Sequence, residues 1–281
     1  MDNAKPLSHT HKGASQAHKE PSQAHKEAQS VGTQAGARLE PVDRLIVALD
    51  FPTADAAMEL VERLEGCCRW FKVGMELYYA AGNQVIARLR ERGFKVFLDL
   101  KLHDIPNTVA GAVRSVARAG ASLLTVHAGG GEEMMRAAAQ AASAPGAPRL
   151  LAVTVLTSMD AAMLHALGVN EAPGSQALRL ARLARAAGID GLVCSAEEVA
   201  ALRAAMGPQA WLVVPGIRPA EAAGRRDDQR RVATAAEAIK HGATMLVVGR
   251  PITQAAEPAR VAAAILAEIG SATPPMTIKP S

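Results

Sequence analysis

Aromatic side chains are scarce in this sequence: 3% of 281 residues, as two Trp, two Tyr and four Phe. A groove that stacks single-stranded nucleic acid needs such rings beside a stripe of cations. The cations are not concentrated either. The net charge of +4 comes from 31 Lys or Arg against 27 Asp or Glu, and residues 1–40 hold five against four, leaving 26 against 23 for the remainder. Nucleic acid is therefore not an expected partner. Cysteine is limited to Cys67, Cys68 and Cys194. Two neighbours and one distant thiol do not make the CxxC spacing of a zinc or thioredoxin-like site, so buried thiols in a reducing compartment are expected. No apolar run approaches the roughly 18 residues that span a bilayer, and the N-terminus lacks the apolar stretch of a secretory signal. No membrane association is expected, and the cytoplasm is the expected location.

What is abundant is aliphatic: 49% of residues are hydrophobic, mostly Ala, Val, Leu and Ile. That supply can bury one large core and suits parallel strands packed beneath alanine-rich helices. Residues 1–40 differ from the rest. They carry SQAHKE at 15–20 and again at 22–27, with almost nothing apolar to bury, and are expected to form a disordered low-complexity tail. His9, His11, His18 and His25 fall in it, where no fixed geometry would hold a metal. Residues 271–281 are expected to be a second loose tail, leaving 41–270 as the folded domain.

From residue 44 onward a short apolar run, a turn and a helical stretch recur eight times. The strand candidates are RLIVALD, WFKVGM, KVFLDLK, LLTVHA, LLAVTVL running into Thr157 and Ser158, GLVCS near Ser195, WLVVPG and MLVVGR. Helical candidates between them include ADAAMELVERL, NTVAGAVRSVARAG, SQALRLARLARAAG, AEEVAALRAAM and EPARVAAAILAEI. Eight strands alternating with helices in about 230 residues fit a single (β/α)8 barrel. A doubly wound open sheet is the alternative, and it too places ligands at strand C-termini. Asp50, Lys72, Asp99, Lys101, His127, Thr157, Ser158, Arg218 and Arg250 all lie at or just after such ends.

DLKLHD is the sharpest local signal. Residues i and i+2 of a strand share a side, which sends Asp99 and Lys101 toward the mouth together, with Asp104 brought near by the following loop. A lysine held between carboxylates keeps its proton, which suits an acid awaiting a basic carbon better than a Schiff-base lysine. Charged triplets are usually surface ion pairs. This one ends an apolar strand, where unpaired charge is costly unless it faces a solvated or ligand-filled mouth. After the seventh and eighth strands, VVPGIRP and LVVGRPIT place Gly216, Gly249, Arg218 and Arg250 where barrels often grip phosphate. His127 is expected to cap and pack, and Cys194 to be core.

In order and spacing, LIVALDFP, FKVGMELY, VFLDLKLHDIPNT, LTVHAGGG, LLAVTVLTSM, LVCSAEEV, VVPGIRP, DDQRR and VVGRPIT resemble the orotidine 5'-phosphate decarboxylase family in its bacterial form, over about residues 43–269. The resemblance implies that Lys101 protonates C6 of the pyrimidine after carbon dioxide leaves, with Asp99 against the departing carboxylate. Lys72, Asp99, Lys101 and Asp104 would form an alternating charge network. Asp104 and Thr108 would reach into the partner's site, which implies a homodimer. Asp50 and Lys72 would bind the ribose hydroxyls, with Ser158 at the pyrimidine edge and Thr157 lining the site. Gln229, Gly249, Arg250 and Arg218 would hold the phosphate, with Pro215 at the wall. The product would be UMP, with no cofactor and no metal.

The tail repeat and the extra arginines of GRRDDQRR depart from the family pattern. PAEAAGRRD could fold over the phosphate as a lid. The nearest enzymatic alternative is a magnesium-dependent sugar-phosphate member of the same superfamily, which shares the D-x-K-x-x-D strand. HDIPNT, LTSM and DDQRR favour the nucleotide. A catalytically silent phosphate-binding barrel is the other class, and the intact Asp99, Lys101 and Asp104 argue against it.

Overall fold

A computed structural model of the protein describes residues 39–219 and 233–272. Residues 1–38 and 273–281, and with them nearly all of both expected tails, lie outside the described residues. So do Gln229 and the stretch PAEAAGRRD beyond Pro219.

Eight parallel strands close into a barrel in which each pairs with the next and the last with the first. They are β1 (Leu45–Leu49), β2 (Trp70–Gly74), β3 (Lys95–Leu102), β4 (Leu123–His127), β5 (Arg149–Val153), β6 (Gly191–Val193), β7 (Trp211–Val214) and β8 (Met245–Val248). Closure selects the barrel over the open sheet. Around it stand α1 (Pro41–Arg44), α2 (Ala54–Arg63), α3 (Met75–Ala81), α4 (Asn83–Glu91), α5 (Pro106–Ala119) and α6 (Gly131–Ala141). The second half adds α7 (Ala161–Ala166), α8 (Pro173–Ala186), α9 (Val199–Met206), α10 (Ala235–Lys240), α11 (Arg250–Thr253) and α12 (Pro258–Ala272).

All five residues of β1 are buried, because a barrel strand has helices on one side and the interior on the other. Leu45, Val47 and Leu49 pack under the helices, whereas Ile46 and Ala48 point inward with Trp70, Phe97, Leu123, Leu151, Val213 and Met245. Leu39 packs against this interior layer, so the folded part begins slightly before residue 41. At the opposite end α12 continues through Ser271 and Ala272. Lys95 lies 5.2 Å from the ring centre of Trp70, and the Arg149 guanidinium 4.7 Å from that of Trp211. These cation–ring contacts belong to the strands' N-terminal ends, away from the charged mouth.

Among the boundaries that differ from the sequence expectation are two strand ends and one helix start. LLAVTVL leaves the ladder at Val153, because its neighbour β6 is only three residues long and the Thr154 amide and hydroxyl both donate to the Val193 carbonyl. WLVVPG stops at Val214, before Pro215, which has no N–H to continue a ladder. AEEVAALRAAM opens as a 3-10 turn over Ala196–Glu198, capped by the Ser195 hydroxyl and the Glu198 carboxylate. The β3 to α5 connection is short. Pro106 starts the helix and Gly120, left-handed at φ 80°, ends it.

Candidate active site

The inward positions of the first three strands read apolar below and charged above. Ile46 and Ala48 lead to Asp50, Trp70 leads to Lys72, and Phe97 leads to Asp99. Period-two alternation therefore builds a polar layer on an apolar floor. In that layer Lys72 Nζ donates to Asp50 Oδ1 at 2.8 Å and lies 3.8 Å from Asp99 Oδ2, while Lys101 Nζ donates to Asp99 Oδ2 at 2.9 Å. Carboxylate and ammonium alternate along one line. Lys72 and Asp99 are nearly buried, with side chains 11% and 13% exposed, so each depends on its ion-pair partners for compensation, Lys72 on Asp50 and Asp99, and Asp99 on Lys101 and Lys72.

Lys101 reaches the mouth by a different route from the one expected. The β3–β4 register slips between Leu98 and Leu102, and within that gap Lys101 adopts φ 50°, the sole positive φ of a non-glycine residue among the described residues. It belongs to a bulge rather than a regular strand. Its amide donates to Thr125 Oγ1 at 2.8 Å, and the Thr125 hydroxyl donates to Asp99 Oδ1 at 3.0 Å.

A cavity of about 460 Å³ opens over these groups, within the roughly 300–1,000 Å³ usual for small-molecule sites. Asp50, Lys72, Asp99, Lys101, Thr157, Pro215, Arg218, Gly249 and Arg250 all line it. Gly216 follows Pro215 with φ 78°, a conformation that suits glycine. The bridge between Ile217 and Ala233 fixes the backbone beside Arg218, whose amide donates to the Ala233 carbonyl at 3.0 Å. Ser158 is exposed and lies beside the lining Thr157 without lining the cavity itself. Asp104 and Thr108 are exposed and outside the cavity; the Asp104 carboxylate accepts from the Ile105 amide at 2.6 Å. Within one chain the charge network thus runs from Asp50 to Lys101 without Asp104.

His127 lies beside the site. Its Nδ1 accepts from the Gly129 amide at 3.2 Å, and its ring stacks on His103 with centres 5.2 Å apart. Burial first, then the neighbouring His103 and Lys101, lower its proton affinity. Cys194 is 1% exposed and sits in the barrel–helix core while touching the cavity wall. A second concavity of about 550 Å³ is walled by Met159, Pro173 and Leu178 and carries Asp160, Glu197 and Glu198 without a lysine or arginine. Its charge does not suit an anion. Among the described residues no group of three or more His, Cys, Asp or Glu stands where it could hold a metal ion, and no helix is long and apolar enough to cross a membrane.

Sequence reading missed Thr125, together with the apolar walls Phe97, Val153 and Val193. Their signal was present: all four occupy inward positions of strands, and Thr125 is a polar residue inside an apolar run.

Fold and mouth together define a (β/α)8 barrel with a charged cavity at the C-terminal ends of its strands, the position where enzymes of this fold carry their active sites. A family pattern described as Orotidine 5'-phosphate decarboxylase / HUMPS family matches residues 43–265. An orotidine 5'-phosphate decarboxylase of Anaeromyxobacter dehalogenans is 55% identical over 229 residues, covering 82% of this chain and 99% of that protein. One from Moorella thermoacetica is 48% identical over 239 residues, covering 83% and 94%. The crystal structure of orotidine 5'-phosphate decarboxylase from Lactobacillus acidophilus matches with TM-score 0.72 and 38% identity, over 81% of this chain and 99% of that one. The chain belongs to the orotidine 5'-phosphate decarboxylase / HUMPS family.

Proposed function

We propose that this carboxy-lyase converts orotidine 5'-phosphate to UMP in pyrimidine biosynthesis, without a cofactor and with Lys101 as the proton donor. The observation that carries the reading is the Asp50–Lys72–Asp99–Lys101 line of alternating charge at the mouth. The relatives' shared name supports the nucleotide over a sugar phosphate.

In this mechanism Asp50 and Lys72 bind the ribose hydroxyls. Thr157 and Ser158 meet the pyrimidine, Pro215 forms a wall, and Arg218, Gln229, Gly249 and Arg250 hold the phosphate. Asp99 stands against the substrate carboxylate. The bond between C6 and the carboxylate breaks, carbon dioxide leaves, the electron pair stays on C6, and Lys101 Nζ delivers its proton there. That pair is not delocalised into a carbonyl, so the barrier reduction lies toward the top of the usual range, roughly 23 kcal/mol. Preorganised charge and binding energy drawn from the remote phosphate supply it.

The working unit is a homodimer with shared sites. Tyr79 is 76% exposed, Ile105 67% and Met75 46%, on elements that follow neighbouring strands β2 and β3. Apolar exposure of this kind suits a partner surface, and Asp104 and Thr108 flank Ile105. From that rim they enter the partner's cavity.

The test is the loss of orotidine 5'-phosphate absorbance with purified protein in EDTA, beside Lys101→Ala. Wild-type turnover is expected to persist, and the variant to lose about 10²–10⁴-fold, the usual worth of a positioned acid. Wild type that leaves the nucleotide unchanged and turns over a sugar phosphate with magnesium would instead establish the sugar-phosphate reading.

A further inference from the structure

Thr125 is a polar side chain with no solvent exposure, on an inward position of β4. A hydroxyl has one proton and two lone pairs, and a carboxylate can only accept, so the direction of its bonds is fixed. The proton goes to Asp99 Oδ1 at 3.0 Å, and the oxygen accepts the Lys101 amide at 2.8 Å. One atom thereby serves both ends of the proposed chemistry.

Each bond answers a specific need. The slip in the β3–β4 register between Leu98 and Leu102 leaves Lys101 outside the regular ladder, and an unpaired buried amide is costly. Thr125 Oγ1 takes the place of a ladder carbonyl. It does so at the residue whose backbone is left-handed, a conformation that persists only where its surroundings hold it. On the other side, fixing Asp99 Oδ1 leaves Oδ2 to face Lys101 Nζ at 2.9 Å and Lys72 Nζ at 3.8 Å. Rotation of that carboxylate would break the alternation.

We infer that Thr125 is a positioning residue for the decarboxylation, holding the Asp99 carboxylate and the Lys101 backbone in the reactive arrangement before substrate enters. The inference rests on the roles of Asp99 and Lys101 proposed above. It predicts an effect on the chemical step rather than on the phosphate grip, because Arg218, Gly249 and Arg250 follow β7 and β8, across the barrel from β3 and β4.

The experiment compares wild type with Thr125→Val, Thr125→Ser and Thr125→Ala, measuring kcat, KM for orotidine 5'-phosphate and thermal midpoint. Valine keeps the branched shape and removes the hydroxyl. Its kcat is expected to fall about 10- to 100-fold, the usual scale for a lost hydrogen bond to a charged group, with KM within about threefold. Serine is expected to keep kcat within about threefold of wild type, and alanine to resemble valine. Undiminished kcat in the valine variant overturns the inference, as does a KM that worsens in step with kcat. If the valine variant does not fold, the serine and alanine pair decides, since they differ by the hydroxyl alone, and equal kcat for the two overturns it. Wild type that fails to decarboxylate the nucleotide removes the underlying reading and this inference together; active wild type with indifferent Thr125 variants removes the inference alone.

Discussion

Gly74 ends β2 two positions after Lys72, and a methyl group there would lie 2.9 Å from both Asp50 Oδ1 and Lys72 Nζ. Real carbon atoms do not tolerate that approach, and the atoms able to move are the flexible ends of the ion pair. Gly74→Ala is therefore expected to leave the barrel folded while displacing the pair, lowering kcat/KM by about tenfold or more. Initial rates alongside a melting curve check this, and unchanged kinetics would show that the pair is not held against Gly74. At this scale the sequence was partly legible. DLKLHD pointed to Asp99 and Lys101 because two charges closing an apolar strand need a reason. It did not reveal that Lys101 is left-handed, nor that glycine is required beside Lys72, since both follow from atoms brought together across strands. Burial pushes the Cys68 thiol up to about 12, with Cys67 adding to the effect; Cys68 and Cys194 are buried as expected from the sequence, whereas Cys67 is half-buried.

The loop after β3 is tied to the end of β4 by the stacked rings of His103 and His127. His127 also caps the 3-10 turn over Ala128–Gly130 through its Nδ1. Burial, His103 and Lys101 hold its proton affinity below the ordinary value of 6.5. The unfolded chain therefore takes up a proton as pH falls through that value while the folded protein resists it. More protons on the unfolded state means that stability falls with pH from about 6.5 down to the folded value, below which this contribution levels off. The melting midpoint is expected to drop between pH 7.5 and 5.5, and His127→Asn, which keeps an acceptor for the Gly129 amide, to drop less. Equal slopes for the two proteins would remove His127 as the source. Every strand candidate appears in the barrel, but β5, β6 and β7 end earlier than their apolar runs, because a ladder stops where its partner stops or where proline removes a donor.

Across the whole molecule the cavity collects ten of the residues expected from sequence, Gly216 among them, while Ser158, Asp104 and Thr108, all exposed, stand outside it. If each chain completes its partner's site, mixing two crippled variants makes one intact site per heterodimer. Lys101→Ala and Asp104→Ala homodimers are each expected to be nearly inactive, and an equal mixture, allowed to exchange subunits, to recover roughly a quarter of wild-type activity. Size-exclusion chromatography with light scattering should show a dimer. A mixture no better than its components, from chains shown to exchange, would place Asp104 outside any shared site.

Local pattern alone determined the number of strands, their parallel alternation with helices and the end of the barrel at which charge gathers, because period and composition are written within a few neighbouring residues. The tertiary structure decided closure of the sheet, the bulge at Lys101 and the selection of Thr125 as its acceptor, 24 residues away in the chain. It also separated the Asp50–Lys101 line from Asp104. Those outcomes depend on register between strands, and register is set by how all eight pack around one interior, which no single segment encodes.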